Sequence, residues 1–156
     1  MHFSQTISIL KNFEKENLQG KVAHKEIAPF RTRENNSLLE SPKIAAVLVL
    51  LYPINNLTHF VLIERATYDG QHSGQISFPG GKQEKKDVNL IQTALREAWE
   101  ETNIDSKKVS VVGSLSKIFI PPSNFEVTPI LAKTDLRPDF VENKKEVVNI
   151  LEVKLS

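Results

Sequence analysis

Residues 80–101 read GGKQEKKDVNLIQTALREAWEE, and the reading of this stretch decides the fold. A Gly-Gly pair opens a charged loop, and the loop runs into an apolar pattern of helical period. Ile91, Ala94, Leu95, Ala98 and Thr102 recur at that spacing, which predicts a helix over 87–102 packed on a sheet. Asp87 stands at its start, where an acidic side chain can cap free N–H groups. The other side carries Arg96, Glu97, Glu100 and Glu101. Like charges one turn apart, here Glu97 and Glu101, cost a few tenths of a kcal/mol. All three glutamates also sit toward the helix C-terminus, where the macrodipole disfavours negative charge. A solvated acidic face accounts for most clusters of this kind. Two neighbours favour a second reading, a site for a hard divalent cation, which prefers carboxylate oxygen and shares its shell with substrate phosphates. Arg96 can hold a carboxylate bidentately and fix its orientation. The glycine turn lets backbone approach a phosphate or metal closely.

Around this segment the chain reads as a single domain of 156 residues, long enough for a proper core. A hydrophobic fraction of 40% and a charged fraction of 25% are those of an ordinary globular protein. A net charge of +1 gives no electrostatic reason to expect nucleic acid or membrane as a bulk partner. Cysteine is absent, which excludes disulfides, thiolate metal sites and a cysteine nucleophile. The longest apolar run, Ile44 to Tyr52, is strand-sized, and the N-terminal residues have no signal-peptide pattern. A cytoplasmic location is the resulting expectation.

Upstream, Ile7, Leu10, Phe13 and Leu18 predict a short amphipathic helix over about 4–18, ending near Gly20. Residues 21–42 read as irregular, with Pro29, Pro42, Arg31 and Arg33. KIAAVLVLLY (43–52) is a buried strand, 53–56 a turn and HFVLIER (59–65) the antiparallel partner. QISFPGG (75–81) is a short strand broken at Pro79. After the helix come a strand over 109–120, a turn over 121–124 and a strand over 125–133. A charged loop over 136–145 leads to a last strand over 147–155. Several strands around one strong helix make an α+β domain, an α/β/α sandwich with a mixed central sheet and a core over about 43–155.

The glycine, the five-residue spacer and the acidic helix together resemble the signature of the Nudix hydrolases. In this chain Gly81 is the signature glycine and Asp87 the acid. Arg96, Glu97, Ala98, Trp99, Glu100, Glu101, Thr102, Asn103 and Ile104 follow in register. Eight residues rather than seven separate Asp87 from Arg96, and Asn103 stands where a glycine is usual. Asparagine tolerates the left-handed conformation that position needs. Leu62 to Gly81 is similar to the additional signature of the coenzyme A pyrophosphatase branch, through Arg65, Ala66, Gly74, Gln75, Phe78, Pro79, Gly80 and Gly81. The extra residue after Asp87 agrees with that branch. Gly70 stands where the branch usually has a second basic residue. Residues 121–132 resemble the strand that follows the helix in the branch, so the likeness runs from about Lys43 to Lys154.

The resemblance implies hydrolysis of a nucleoside diphosphate linked to another group, with a small-molecule nucleotide as the partner. For this branch the substrate is coenzyme A, split into 3′,5′-ADP and 4′-phosphopantetheine with Mg²⁺ or Mn²⁺. Glu97, Glu100 and Glu101 are the implied metal ligands, joined by the Gly80 backbone carbonyl, and Arg96 orients a glutamate. The general base is either a helix glutamate, Glu97 or Glu100, or a carboxylate from a distant loop, Glu146 with Glu142 behind it. Arg65, Gln75 and Lys82 are the candidate substrate-binding residues. Arg65 has the alternative of pairing with Asp69 or a helix carboxylate, and Lys82 that of an exposed loop lysine. His72 reads as structural or solvated, Trp99 as packing, and Phe119 and Phe125 as core or cleft wall. ADP-ribose, dinucleoside polyphosphates or oxidised nucleotides are alternative substrates for the same helix. A nucleotide-binding module without turnover is the alternative outside enzymes, and a homodimer is a family-level expectation. The chain ends at LEVKLS, where the branch usually continues with a helical segment, so this member is either short or a fragment.

Overall fold

The computed structural model describes residues 1–13, 18, 20, 22–24, 41–66 and 74–156. His72, Asp69 and Gly70 lie outside the described residues, as does much of the predicted first helix beyond Phe13. Among the described residues eight strands form one mixed sheet: β1 (Lys43–Ile54), β2 (Leu57–Arg65), β3 (Ile76–Ser77), β4 (Gly80–Lys82), β5 (Ser110–Ser114), β6 (Ile118–Ile120), β7 (Phe125–Lys133) and β8 (Val147–Lys154). Helix α1 spans Phe3–Lys11 and helix α2 spans Leu90–Thr102. Among the described residues no helix is long and apolar enough to cross a membrane.

Strand β1 is central, with hydrogen-bonded neighbours on both edges. On one edge it runs parallel to β7, from Lys43↔Phe125 to Leu51↔Lys133. On the other it pairs antiparallel with β4 through Ala45–Val47 and with β2 through Leu51–Ile54. The β1–β2 turn is tighter than the four residues expected from sequence. Pro53 and Ile54 stay in the strand, and Asn55 and Asn56 alone make the turn with φ of 49° and 63°. Asparagine tolerates two successive left-handed residues, which match the twist of a hairpin. The strand expected over 109–120 divides into β5 and β6, separated by residues 115–117, and both pair with β7.

Period-two alternation gives β1 two different faces. Ala46, Leu48, Leu50 and Tyr52 are fully buried, and with Ala94 and Ala98 of α2, Val61, Ile104, Ile130 and Ala132 they form the core. Alanines at 94 and 98 let the helix axis sit close on the sheet. Lys43, Ala45 and Val47 face the opposite way and line a cleft.

Helix α2 begins at Leu90, three residues later than expected. Asn89 caps it, accepting from the Gln92 N–H at 2.9 Å. Asp87 is outside the helix because Arg96 and the Glu84 N–H already occupy its carboxylate. Asn103 ends the helix in the left-handed region, with φ of 61°. The buried face also differs from the one expected. Thr93, Ala94, Ala98, Glu101 and Thr102 are buried, whereas Ile91 is exposed. Trp99, expected to pack, is 58% exposed and borders a groove of about 750 Å³ with Leu136 and Arg137.

Helix α1 docks on the hairpin through its start. Phe3 N–H donates to Asn56 O at 2.9 Å, and the Thr6 and Thr58 hydroxyls lie 2.6 Å apart. Phe13 covers Gly113, where a Cβ would meet its ring at 2.7 Å.

Candidate active site

The site forms where β4 passes between β1 and α2. Gly80 is required by its surroundings: its φ is +155°, and a Cβ there would run into Ala46 O and Val47 Cα. This close approach brings the Gly80 N–H to 2.8 Å from Glu101 Oε2. Arg65, at the end of β2, donates to Glu101 Oε1 at 2.9 Å. Glu101 is therefore fully buried, with one donor on each oxygen, and belongs to the inner rather than the solvent face of α2. Burial pushes its carboxyl up to about 7. The Gly80 N–H and Arg65 pull the other way, while Glu97 and Glu146 add to the rise.

Arg96 organises the outer part. Its Nε and Nη2 donate to the two oxygens of Asp87 at 2.9 and 3.0 Å. Its Nη1 lies 2.8 Å from Glu97 Oε1 and 3.0 Å from Glu100 Oε2, and Nη2 donates to Lys82 O at 3.2 Å. Asp87 is buried and also accepts from the Glu84 N–H and the Thr93 hydroxyl, at 2.9 and 3.1 Å. Arg96 beside it holds its carboxyl well below the usual carboxylate range. One guanidinium thus fixes the acid of the loop, two glutamates of the helix and the strand leaving the glycine pair. The Glu97 carboxylate rests on Gly81, where a Cβ would stand 2.5 Å from Oε2. Burial raises the Glu97 pKa against the pull of Arg96, and the charges of Glu100 and Glu146 raise it further.

Glu146 comes from the far end of the chain. Asn143 N–H donates to Glu101 O at 3.1 Å, and Val141 N–H donates to Thr102 O at 3.1 Å, so this loop is laid on the last turn of α2. Glu146 O accepts from Ala66 N–H at 2.8 Å, which ties the loop to the end of β2. These three bonds bring the Glu146 charge to bear on Glu97 and Glu101. Glu142 is exposed on the same loop.

The candidate substrate residues share one cleft. Arg65, Gln75, Gly80 and Lys82 line a cavity of about 440 Å³, walled by Val47, Phe78 and Phe125. Phe78 is backed by Phe60, with ring centroids 5.9 Å apart. Lys43 lines the same cavity, a residue the motifs do not reach; its signal is register, since it stands beside Phe125 at the start of β1. Phe119 is half-buried on β6 outside this lining, and Trp99 lies on the separate groove.

Among the described residues, no three Asp, Glu or His side chains converge on a common point as a ready-made metal cage. The reason is local: Arg96 clips Glu97 and Glu100, and Arg65 and Gly80 hold Glu101. The donor set nevertheless fits a hard divalent ion. It is all oxygen, and the charge of Glu100 adds to the raised pKa of Glu97 and that of Glu97 to the raised pKa of Glu101, a repulsion that a cation relieves.

Comparison with known proteins agrees with this architecture. A model of the NUDIX domain matches residues 42–150. An uncharacterized Nudix hydrolase, NudL, of Yersinia enterocolitica is 40% identical over 95 residues, which is 61% of this chain and 48% of the relative. NudL of Yersinia pestis is equally similar, with 47% of its length covered. The chain therefore spans about half the length of the curated relatives it matches. Among solved structures, the Nudix hydrolase RenU of M. smegmatis superposes with a TM-score of 0.62 at 21% identity, covering 78% of this chain and 76% of that one. A C. elegans Ap4A hydrolase in a binary complex gives 0.58 at 23%, covering 70% and 78%. The NUDIX domain of Shewanella oneidensis NrtR, complexed with ADP ribose, gives 0.57 at 14%, covering 83% and 81%. These structural likenesses establish the fold, and the family model, spanning glycine pair, acidic helix and flanking strands, establishes that this chain belongs to the Nudix family.

Proposed function

We propose that this domain hydrolyses the diphosphate bridge of coenzyme A or its derivatives, releasing 3′,5′-ADP and 4′-phosphopantetheine. The observation that carries the reading is a juxtaposition. A set of mutually repelling carboxylates (Glu97, Glu101 and Glu146) stands beside a cleft lined by Arg65, Gln75 and Lys82. The first half of that pattern suits a divalent cation, the second a polyanionic substrate. Arg65, Gln75, Phe78, Gly80 and Gly81 are residues of the coenzyme A-type signature, and all five line the cleft.

Glu97, Glu100 and Glu101, with the Gly80 carbonyl, would hold Mg²⁺ or Mn²⁺. When bound, such an ion neutralises the diphosphate and acidifies the attacking water. The chain's own groups do the rest. Arg96 orients Glu97 and Glu100 while anchored on Asp87. Arg65 fixes Glu101 and presents positive charge to the cleft. Lys82 meets a phosphate oxygen, and Gln75 supplies an amide at the cleft wall. Glu146, exposed and outside the Arg96 clasp, is the carboxylate best placed to accept the proton of the attacking water; Glu97 and Glu100 are each committed to Arg96.

The fold neighbours include an Ap4A hydrolase and a domain complexed with ADP ribose, so the same helix is compatible with other diphosphate-linked nucleotides. Mass spectrometry of products formed in ¹⁸O-labelled water decides between them. Coenzyme A with Mg²⁺ or Mn²⁺ should yield 3′,5′-ADP and 4′-phosphopantetheine, with label in one product. Turnover of ADP-ribose but not coenzyme A would transfer the reading to another substrate. A non-catalytic module would leave all of these substrates intact. The retained Arg96, Glu97, Glu100 and Glu101 set speaks against that, and Glu100→Gln should lose turnover while still binding nucleotide.

A further inference from the structure

We propose that Lys43, with Phe125, forms a subsite for a second anionic group of the substrate, a phosphate monoester carried on the nucleoside. The proposal rests on the functional reading above and names a specificity residue outside the signature segments.

Lys43, Ala45 and Val47 alternate onto the cleft face of β1. In the antiparallel register of β1 and β4, Lys82 stands opposite Ala45 and Gly80 opposite Val47. Directly opposed residues put their side chains on the same face, so Lys82 and Lys43 project into one cleft. Along β1 the order from the acidic helix outward is therefore Gly80, then Lys82, then Lys43. Lys43 lies four residues beyond the position facing Gly80, roughly 13 Å at the usual strand rise. Less the reach of the lysine chain, that is the span of one nucleoside.

Charge supports the same assignment. Among the described residues, the cavity lining contains Lys43, Arg65 and Lys82 and no acidic residue. Arg65 is committed to Glu101. Neither lysine has a salt bridge among the described residues. Lys43 is instead held over the Phe125 ring, its Nζ 5.7 Å from the centroid. A cation resting on an aromatic face at the cleft edge keeps its donors available to an anion. The adjoining wall of Phe125, Val127 and Ile120 is apolar and suits a flat base or a ribose edge. The cleft thus has one anchor for a diphosphate at the glycine end and a second, independent anchor for phosphate at the Lys43 end. A substrate bearing a single diphosphate uses only the first.

The test is calorimetric binding of adenosine 3′,5′-bisphosphate and of AMP to the wild-type protein and to Lys43→Met, together with kcat/KM for coenzyme A and 3′-dephospho-coenzyme A. The wild type should bind the bisphosphate roughly tenfold more tightly than AMP, the size of one charge-assisted contact. Lys43→Met should abolish that preference while leaving AMP binding and thermal stability unchanged. The kcat/KM ratio between the two coenzymes should collapse in the same variant. Equal affinity for the two nucleotides in the wild type, or a preference that survives in Lys43→Met, overturns the subsite. The binding arm requires no turnover, so failure of the hydrolytic reading would appear separately, as inactivity toward both coenzymes.

Discussion

Gly80 and Gly81 are adjacent and do different things, and substitution should separate them. At Gly80 a Cβ meets fixed backbone, at Ala46 and Val47, in a conformation side chains rarely adopt. Gly80→Ala should cost on the order of 3–5 kcal/mol. Thermal denaturation should report a loss of roughly 10 °C for a chain of this size. At Gly81 the clash is with the end of the Glu97 side chain, which can move. Gly81→Ala should keep most of its melting temperature and lose turnover, because the displaced group, Glu97, is a proposed metal ligand. Asp87 gives a pH signature. Its folded pKa is depressed by Arg96, so its contribution is complete above the unfolded value, about pH 4, and is lost as pH falls toward the lowered folded value. Asp87→Asn should therefore melt lower than wild type at neutral pH, with the gap narrowing below about pH 4. A constant gap across that range would show that Arg96 does not hold Asp87 as an ion pair. None of these partnerships is local. The pairing of Arg65 with Glu101 spans 36 positions and that of Arg96 with Asp87 spans nine. The sequence offered Arg65 a helix carboxylate as one partner, which is Glu101 here, whereas the pairing of Arg96 with Asp87 was not legible.

At the scale of elements, the strands and the helix were legible because their patterns are set by burial, and the boundaries were not because several residues compete for each role. Asp87 and Asn89 are both good caps; Arg96 takes the first, so the helix starts after the second. Asn89→Ala should then cost about 1 kcal/mol, a fall in melting temperature of roughly 2–4 °C, with no change in nucleotide binding. The inner face of α2 was misread at Glu101 and Ile91. A charged residue at a buried helical position reads as exposed until the arginine and the backbone N–H that satisfy it are known. Trp99 failed in the other direction: an aromatic beside Ala98 reads as packing, yet the neighbouring surface is an open groove. The hairpin turn contracted to Asn55 and Asn56 because two left-handed asparagines close it without extra residues.

For the whole molecule, the fold serves to bring three distant segments, the end of β2, the glycine pair and the 141–146 loop, to the last turns of α2. β1 separates two environments, a core under α2 and a cleft on its other face. Gly80 threads between them, and the 141–146 loop returns from β7 to lie on the end of α2. That return places Glu146 beside carboxylates some 45 positions earlier in the chain. Glu146→Gln should lower kcat by about a hundredfold with KM little changed, the usual size of a general-base effect. Unchanged kcat would move the base to Glu97 or Glu100.

The acidic cluster itself is examined most directly by anomalous scattering from a crystal soaked in Mn²⁺ with a slowly hydrolysed coenzyme A analogue. Manganese should appear between Glu97, Glu101 and the diphosphate, with Arg96 still anchored on Asp87. Anomalous density absent from that position, with Glu97 still clasped by Arg96 and Glu101 by Arg65, would contradict the account.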